Sequence, residues 1–404
     1  MVFPAITSYS TFVPSLIIKH NIMYTIPHTH TEDINQLQSA IREYGEGRLD
    51  EDSFKAARTP MGIYEQRKDK TYLVRVRCVG GYISPAQLQG LAEIAQEAEV
   101  PYFHITTRQE IQFHYVTLPW VKPILEAMER LGLSSKGGGG NTVRNILVDI
   151  RAGIDTDEVF DVYPYAVDLT SFLIAQEDSF TLPRKLKIAF DISEEKADYA
   201  LINDLGFIPR IVDGKKGFKV YVGGSVASKP TTGWLIYEFI PEEELLHIAY
   251  AVKRFFSEHG DRKNRHSARI RHIFYRLGEE ETIRLIRQYA EQVKAENKFP
   301  YTPSEIRFQS LIPKEKPVLP DYTSTFERWK KKICNFTETA GIICSSLTYS
   351  TGNHYSGNAP EAGRFCFRFR RGCDPFYHPS AHTAPEYSGE LSAERLAAFP
   401  GIRI

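Results

Sequence analysis

Cysteine is scarce in this chain and poorly placed for a framework. Among 404 residues there are five, Cys78, Cys334, Cys344, Cys366 and Cys373, and four of them lie at or beyond position 334. An odd count argues against a disulfide scaffold. An excess of one charge is also missing: 50 Lys plus Arg balance 50 Asp plus Glu. That balance speaks against a protein that coats nucleic acid through its overall charge. No apolar run reaches the roughly 18 to 20 residues a membrane-spanning helix needs. The glycines at 137–140 lack a following Gly-Lys-Ser/Thr, so they do not make a Walker-type phosphate loop. No short tandem repeat is present. The opening segment, MVFPAITSYSTFVPSLIIKHNI, is modestly apolar but lacks the basic start of a signal peptide. Met23 opens a more ordinary sequence and is an alternative start. The expected location is cytoplasmic, with neither nucleic acid nor membrane as a partner.

What remains is an ordinary globular composition, 42% apolar and 25% charged, long enough for two or three domains. Residues 1–65 read as an extension and a polar helical lead-in. Tyr72, Val74 and Val76 then alternate with Leu73, Arg75 and Arg77, which is a strand pattern. Ser84-Pro85 opens a helix, with the serine as cap. Strands follow at 102–106 and 110–116, and Pro119 leads a second helix with Val121, Ile124, Leu125 and Met128 at helical spacing. The order strand, helix, strand, strand, helix over 66–134 has the pattern of a ferredoxin-like α+β half-domain. A mixed α/β domain follows over 135–300. In it we expect a helix at 155–180, strands at 184–192, 198–210 and 218–222, an amphipathic helix at 241–260 and another at 279–297. A proline-rich linker runs through 301–332, and 333–404 forms a tail.

Cations gather in three short islands: Arg108 in TTRQEIQFH, Arg144 in GNTVRNI, and Lys185 with Lys187 in LPRKLKI. Each has a plain reading of its own. Arg108 fits an exposed strand connection, and the glycines before Asn141 fit a flexible linker. The two lysines, on one face of a strand by its period of two, fit a solvated edge. The basic run DRKNRHSARIRH at 261–272 fits a solvated helix face. Taken together, fixed positive charges drawn from separate segments point to a strongly anionic ligand, because arginine supplies a planar fork of donors and lysine a compact charge.

In this order and spacing the segments TTRQEIQFH, NTVRNI, LPRKLKI, GFKVYVGG and GDRKNRHSARIRH resemble the siroheme-dependent sulfite and nitrite reductase hemoproteins. The resemblance covers about 106 to 278. It implies a ferredoxin-like half-domain followed by a siroheme-binding domain, with the start of a second half-domain near 318–332. It implies Arg108, Arg144, Lys185 and Lys187 around the substrate anion, and Asn141, Gly223, Gly224, Arg262, Lys263 and Asn264 holding the macrocycle. The activity implied is six-electron reduction of sulfite to sulfide, or of nitrite to ammonia, with electrons from a ferredoxin or flavoprotein. Lysine at 187, where plant-type nitrite reductases tend to carry asparagine, leans towards sulfite.

The family's second half supplies four cysteines, spaced Cys-x5-Cys and Cys-x3-Cys, to a [4Fe–4S] cluster. Neither pair is present. After Lys332 the chain has no Lys, Val, Gln, Met or Trp. Stretches such as CFRFRRGCDPFYHPSAHTAPEYSGE show neither helical nor strand periodicity. The expectation is a shifted reading frame from about 333 onward, and a chain that corresponds to the family's N-terminal portion. Activity of this chain alone is then in doubt, and a non-catalytic remnant is the alternative.

Overall fold

The computed structural model describes residues 24–304 except 68, 69, 154, 156, 227–229, 297 and 298, together with the backbone of three strands further on. Two layered units are joined by a hydrogen-bonded seam. In the first, helices α1 (His30–Gly45) and α2 (Glu51–Arg58) precede strands β1 (Ile63–Glu65) and β2 (Tyr72–Val76), helix α3 (Pro85–Glu97), strands β3 (Phe103–Ile105) and β4 (Ile111–Val116), and helix α4 (Leu118–Arg130). The sheet order is β1-β2-β4-β3, antiparallel throughout. Ser84 caps α3 reciprocally with Gln87, as its Ser-Pro start predicts. The lead-in helices do not stand apart. Ile34, Leu37 and Phe54 enter the same core as Val74, Leu91, Phe113 and Ile124.

The second unit is a five-stranded mixed sheet, β5 (Leu147–Val148), β6 (Ile188–Phe190), β7 (Leu205–Val212), β8 (Lys215–Val222) and β9 (Trp234–Pro241), in that order. The first three strands run parallel and the last three antiparallel. Helices α5 (Tyr163–Ile174), α6 (Leu245–His259), α7 (Arg271–Leu277) and α8 (Glu279–Glu296) complete it. Its core runs from Val143 and Ile146 through Phe190, Phe207 and Phe218 to Val252, Phe255 and Ile286.

Several elements differ from the sequence reading, each for a local reason. The expected helix at 155–180 shrinks to α5, because Asp155 and Asp161 take the backbone N–H groups two residues on and hold turns before it. The strand expected at 198–210 begins only at Leu205. Ahead of it the buried Asp191 carboxylate accepts from the Tyr199 and Ala200 N–H groups and fixes a turn. The basic strand at 184–192 narrows to β6, although an isolated parallel bridge between Val143 and Leu186 extends its line. Strand β9 and helix α7 were not anticipated. In the tail, β10 (Cys334–Thr337), β11 (Ile342–Tyr349) and β12 (Gly363–Arg368) pair antiparallel. Part of the CFRFRR stretch is therefore strand, because ladder pairing joins backbones and does not require side-chain alternation. The proposed start of a second half-domain at 318–332 lies outside the described residues.

Candidate anion-binding site

The TTRQEIQFH island forms the β3–β4 hairpin loop and the first residues of β4. Thr106 closes it: its carbonyl accepts from Gln109 N–H, and its hydroxyl accepts from the N–H groups of Arg108 and Glu110. The loop then crosses to the second unit. Gln109 donates to the Val148 carbonyl on β5 at 2.7 Å and accepts from its N–H at 3.2 Å. Asn145 donates to the carbonyls of Cys78 and Arg108. Arg108 at the tip donates to the Asn145 carbonyl at 3.1 Å and to the Asn203 side-chain oxygen at 2.6 Å. This seam aims the first cation at the second sheet.

The glycine loop carries the second. Its path is fixed from outside by Arg75, which donates to the Gly138 carbonyl, and by Arg77, which donates to the Lys136 and Val143 carbonyls. Arg77 is fully buried. Gly137 sits at φ +76°, and a Cβ there would lie 2.3 Å from Arg77 Nη2, so only glycine lets the guanidinium through. Arg144 follows, almost buried, its Nε without a hydrogen-bond partner among the described residues. Burial first, then Arg75 and Arg77, lower its pKa, while Tyr64 and Glu110 oppose them.

Lys185 and Lys187 flank Leu186, which is fully buried, so the alternation read from the sequence holds over these three residues. Burial, then Arg144 and Arg269, push the Lys185 amine down to about 8. Burial, then Arg108, Arg269 and Lys185, push Lys187 to about 7, with Asp204 working the other way. The same causes, burial ahead of Arg144 and Arg269, bring Arg108 to about 10. Arg144 thus acts on Arg108 and Lys185, and Arg108 and Lys185 act on Lys187. A lysine amine so depressed marks a surplus of positive charge gathered in a dry place.

The residues expected to hold the macrocycle are more dispersed. Asn141 is exposed and lies beside the lysine segment, its carbonyl accepting from Leu182 N–H and its side-chain oxygen from Arg184. Arg262 reaches the same segment through the Thr181 carbonyl, and also binds Ser257. Lys263 and Asn264 turn on the Asp261 carboxylate, which accepts both their N–H groups. The Gly223 N–H donates to the Asp204 carbonyl. Gly224 lies so close to the 201–203 turn that a Cβ would come within 2.2 Å of the Leu201 carbonyl oxygen.

Three participants escaped sequence reasoning. Arg269, within the quoted basic run, couples to Arg108, Lys185 and Lys187. Asp204 accepts from its Nε at 2.8 Å, and Asn203 receives Arg108. No periodicity or motif marked the last two, which precede a strand as an ordinary Asn-Asp pair.

The donor set suits a polycarboxylate macrocycle with an anionic substrate. Among the described residues Arg144 Nε has no hydrogen-bond partner, and Arg269 Nη2 has the ion pair with Asp204 at 2.8 Å. A [4Fe–4S] cluster finds no such fit. The described side chains include one thiol, Cys78, buried, donating to the Val76 carbonyl, with burial raising its pKa to about 12. No cluster of metal-ligating side chains occurs among the described residues. Nor is any described helix long and apolar enough to cross a membrane.

Comparison with known proteins bears on both halves. Residues 64–131 match the nitrite/sulfite reductase ferredoxin-like half domain, and residues 139–294 the nitrite and sulphite reductase 4Fe-4S domain. The latter stretch contains no cysteine. The chain is 30% identical over 233 residues to the chloroplastic ferredoxin–nitrite reductase of Arabidopsis thaliana, covering 54% of this chain and 39% of the relative. It is 34% identical over 231 residues to the assimilatory ferredoxin-dependent nitrite reductase of Haloferax mediterranei, covering 52% and 39%. It is 30% identical over 246 residues to the sulfite reductase [NADPH] hemoprotein beta-component of Acidithiobacillus ferrooxidans, covering 53% and 44%. The matches thus span about two fifths of each relative's length. The fold resembles that of the Mycobacterium tuberculosis NirA protein, with a TM-score of 0.59 and 20% identity over 85% of this chain and 65% of that one. With a ferredoxin-like half-domain and the domain that follows it both matched in order, the chain belongs to the nitrite and sulfite reductase family.

Proposed function

We propose that this chain holds siroheme and a small oxyanion, and that in a complete enzyme it carries the substrate pocket for six-electron reduction of sulfite or nitrite. The observation that carries this reading is the gathering of Arg108, Lys185 and Lys187, whose pKa values are lowered by burial and by one another's charges or those of Arg144 and Arg269. Such a cluster is unfavourable when empty and favourable around an anion. Siroheme, when bound, would supply an iron that takes up electrons and coordinates the substrate. Asn141, Gly223, Gly224, Arg262, Lys263 and Asn264 would hold its carboxylates and ring, with Arg269 beside them.

The side chains do the rest. Arg108, anchored on Asn145 and Asn203, cannot swing away and offers its remaining donors to the anion. Arg144 adds an unpartnered donor. Lys187, with a pKa near 7, changes charge easily at neutral pH. An arriving anion raises that pKa and draws a proton onto Nζ, and the proton is then available as substrate oxygen departs as water. Lysine at 187 favours sulfite, although the relatives named above include nitrite reductases. A ferredoxin or flavoprotein is the expected electron donor.

A second reading rests on a specific observation. The stretch matched to the 4Fe-4S domain has no cysteine and Cys78 is buried, so the described residues supply an anion cage without ligands for a cluster. On that reading it is a binding protein and not a reductase by itself. Both readings are tested on protein expressed together with siroheme biosynthesis. The expected result is visible siroheme bands that shift with sulfite, without acid-labile sulfide. Absence of bands refutes the cofactor assignment. Turnover with reduced ferredoxin refutes the second reading.

A further inference from the structure

Beside the cations, three separate segments hold one buried carboxylate, that of Asp204. Asp204 is buried, 1% exposed, directly before β7. Its Oδ2 accepts from the backbone N–H of Lys187 at 2.8 Å, and its Oδ1 accepts from Arg269 Nε at 2.8 Å. Its carbonyl accepts from Gly223 N–H at 2.9 Å. The neighbouring Asn203, 2% exposed, receives Arg108 at 2.6 Å and donates to the Tyr199 carbonyl at 2.7 Å. One dipeptide therefore touches the β3–β4 hairpin, the lysine segment, the glycine turn after β8 and the basic loop before α7.

We propose that Asp204, with Asn203 beside it, is the positioning residue of the oxyanion cage: it fixes the spacing of the hairpin, the lysine segment and the basic loop, and supplies counter-charge to Arg108, Lys187 and Arg269, while the buried Glu110 does so for Arg108 and Arg144. This rests on the cage reading above. The geometry explains why the segments stay together when no anion is bound. Five like charges from distant parts of the chain repel, and a buried carboxylate bonded both to a backbone and to a guanidinium is a strong remedy. The carboxylate is shared, so it offsets the repulsion without satisfying it. Asp204 binds the Lys187 backbone and leaves Nζ clear. The groups facing Lys187 are Arg108 from the hairpin, Lys185 on its own segment, Arg269 from the basic loop and Asp204 itself. Of these Asp204 is the anion, so its removal makes Lys187 harder to protonate.

Competitive labelling of the full chain with acetic anhydride across pH, read peptide by peptide by mass spectrometry, gives the midpoint at which the Lys187 amine loses its proton. For the wild type it is expected near 7. Asp204→Asn is expected to lower it by about one pH unit or more. Mere loosening of the fold would expose the amine and move the midpoint upward, so an upward or absent shift overturns the inference. If Asp204→Asn does not fold, Arg269→Gln and Arg269→Lys decide. The glutamine variant is expected to raise the midpoint and the lysine variant to leave it near the wild-type value, and equal midpoints in the two overturn the proposal. Sulfite added to the wild type tests the cage reading separately. It is expected to raise the Lys187 midpoint, and no movement would refute the cage while leaving the Asp204 result standing by itself.

Discussion

Replacing Lys187 by methionine should stabilise the anion-free protein while weakening its hold on oxyanions. The lysine's ordinary pKa of 10.5 falls to about 7 in the folded chain. In the unfolded chain it returns to its ordinary value. Between the two the unfolded state binds more protons, so this group makes stability rise with pH across that window. Below about pH 7 its cost is fully present, and above about pH 10 it is gone. Taken at face value the drop corresponds to about 5 kcal/mol. Partial exposure of the amine reduces this to roughly 2 kcal/mol. Methionine keeps the apolar stem and removes the charge. At pH 6 we therefore expect Lys187→Met to be about 2 kcal/mol more stable in urea than the wild type, with the difference vanishing towards pH 10. Asp191 titrates in the same region, burial having raised it to about 7. It contributes equally to both proteins and cancels in the difference. Sulfate, used as a probe oxyanion, should stabilise the wild type by about 2.7 kcal/mol at a hundred times its dissociation constant, and the variant by far less. A variant less stable than the wild type at pH 6, or one that keeps the full sulfate effect, would refute the reasoning.

Arg77→Lys keeps a buried charge but cannot fork onto the Lys136 and Val143 carbonyls; we expect a loss of about 2 to 3 kcal/mol in urea unfolding. Gly224→Ala drives a methyl group against the Leu201 carbonyl, which should cost about 2 to 4 kcal/mol and abolish siroheme uptake measured by absorbance. Cys78 should resist iodoacetamide at pH 8 in the native protein and react once urea unfolds it, because its thiol is buried and its pKa raised to about 12; modification under native conditions, located by peptide mapping, would contradict its placement. Oxyanion affinity should be flat below about pH 7 and fall above it, since binding then requires Lys187 to take up a proton; isothermal titration in two buffers of different ionisation heat checks the proton count.

Much of the ferredoxin-like half was legible because its signals are local. The Ser84-Pro85 start, the period-two run at 72–76 and the helical stripe of α4 each specify an element over neighbouring residues. The second unit was harder. Helix α5 shortened and β7 started late because aspartate side chains captured backbone N–H groups, a competition that hydrophobic period does not register. The cationic islands were visible as residue types, and the charges of Arg108 and Lys185 act on Lys187, as that of Arg144 does on Arg108 and Lys185.

The sequence by itself determined which side chains can meet an anion, and that the stretch matched to the iron–sulfur domain holds no thiol. Only the tertiary structure decided how those cations survive as neighbours. Arg269 and Asp204 are 65 residues apart, and Arg108 and Asn203 are 95 apart. A carboxylate acts as counter-charge through distance in space, to which sequence spacing is blind. The same Asn-Asp pair that reads as an unremarkable strand entry becomes, once β7 lies beside β6 and the hairpin folds across, the point where the four segments of the cage are joined.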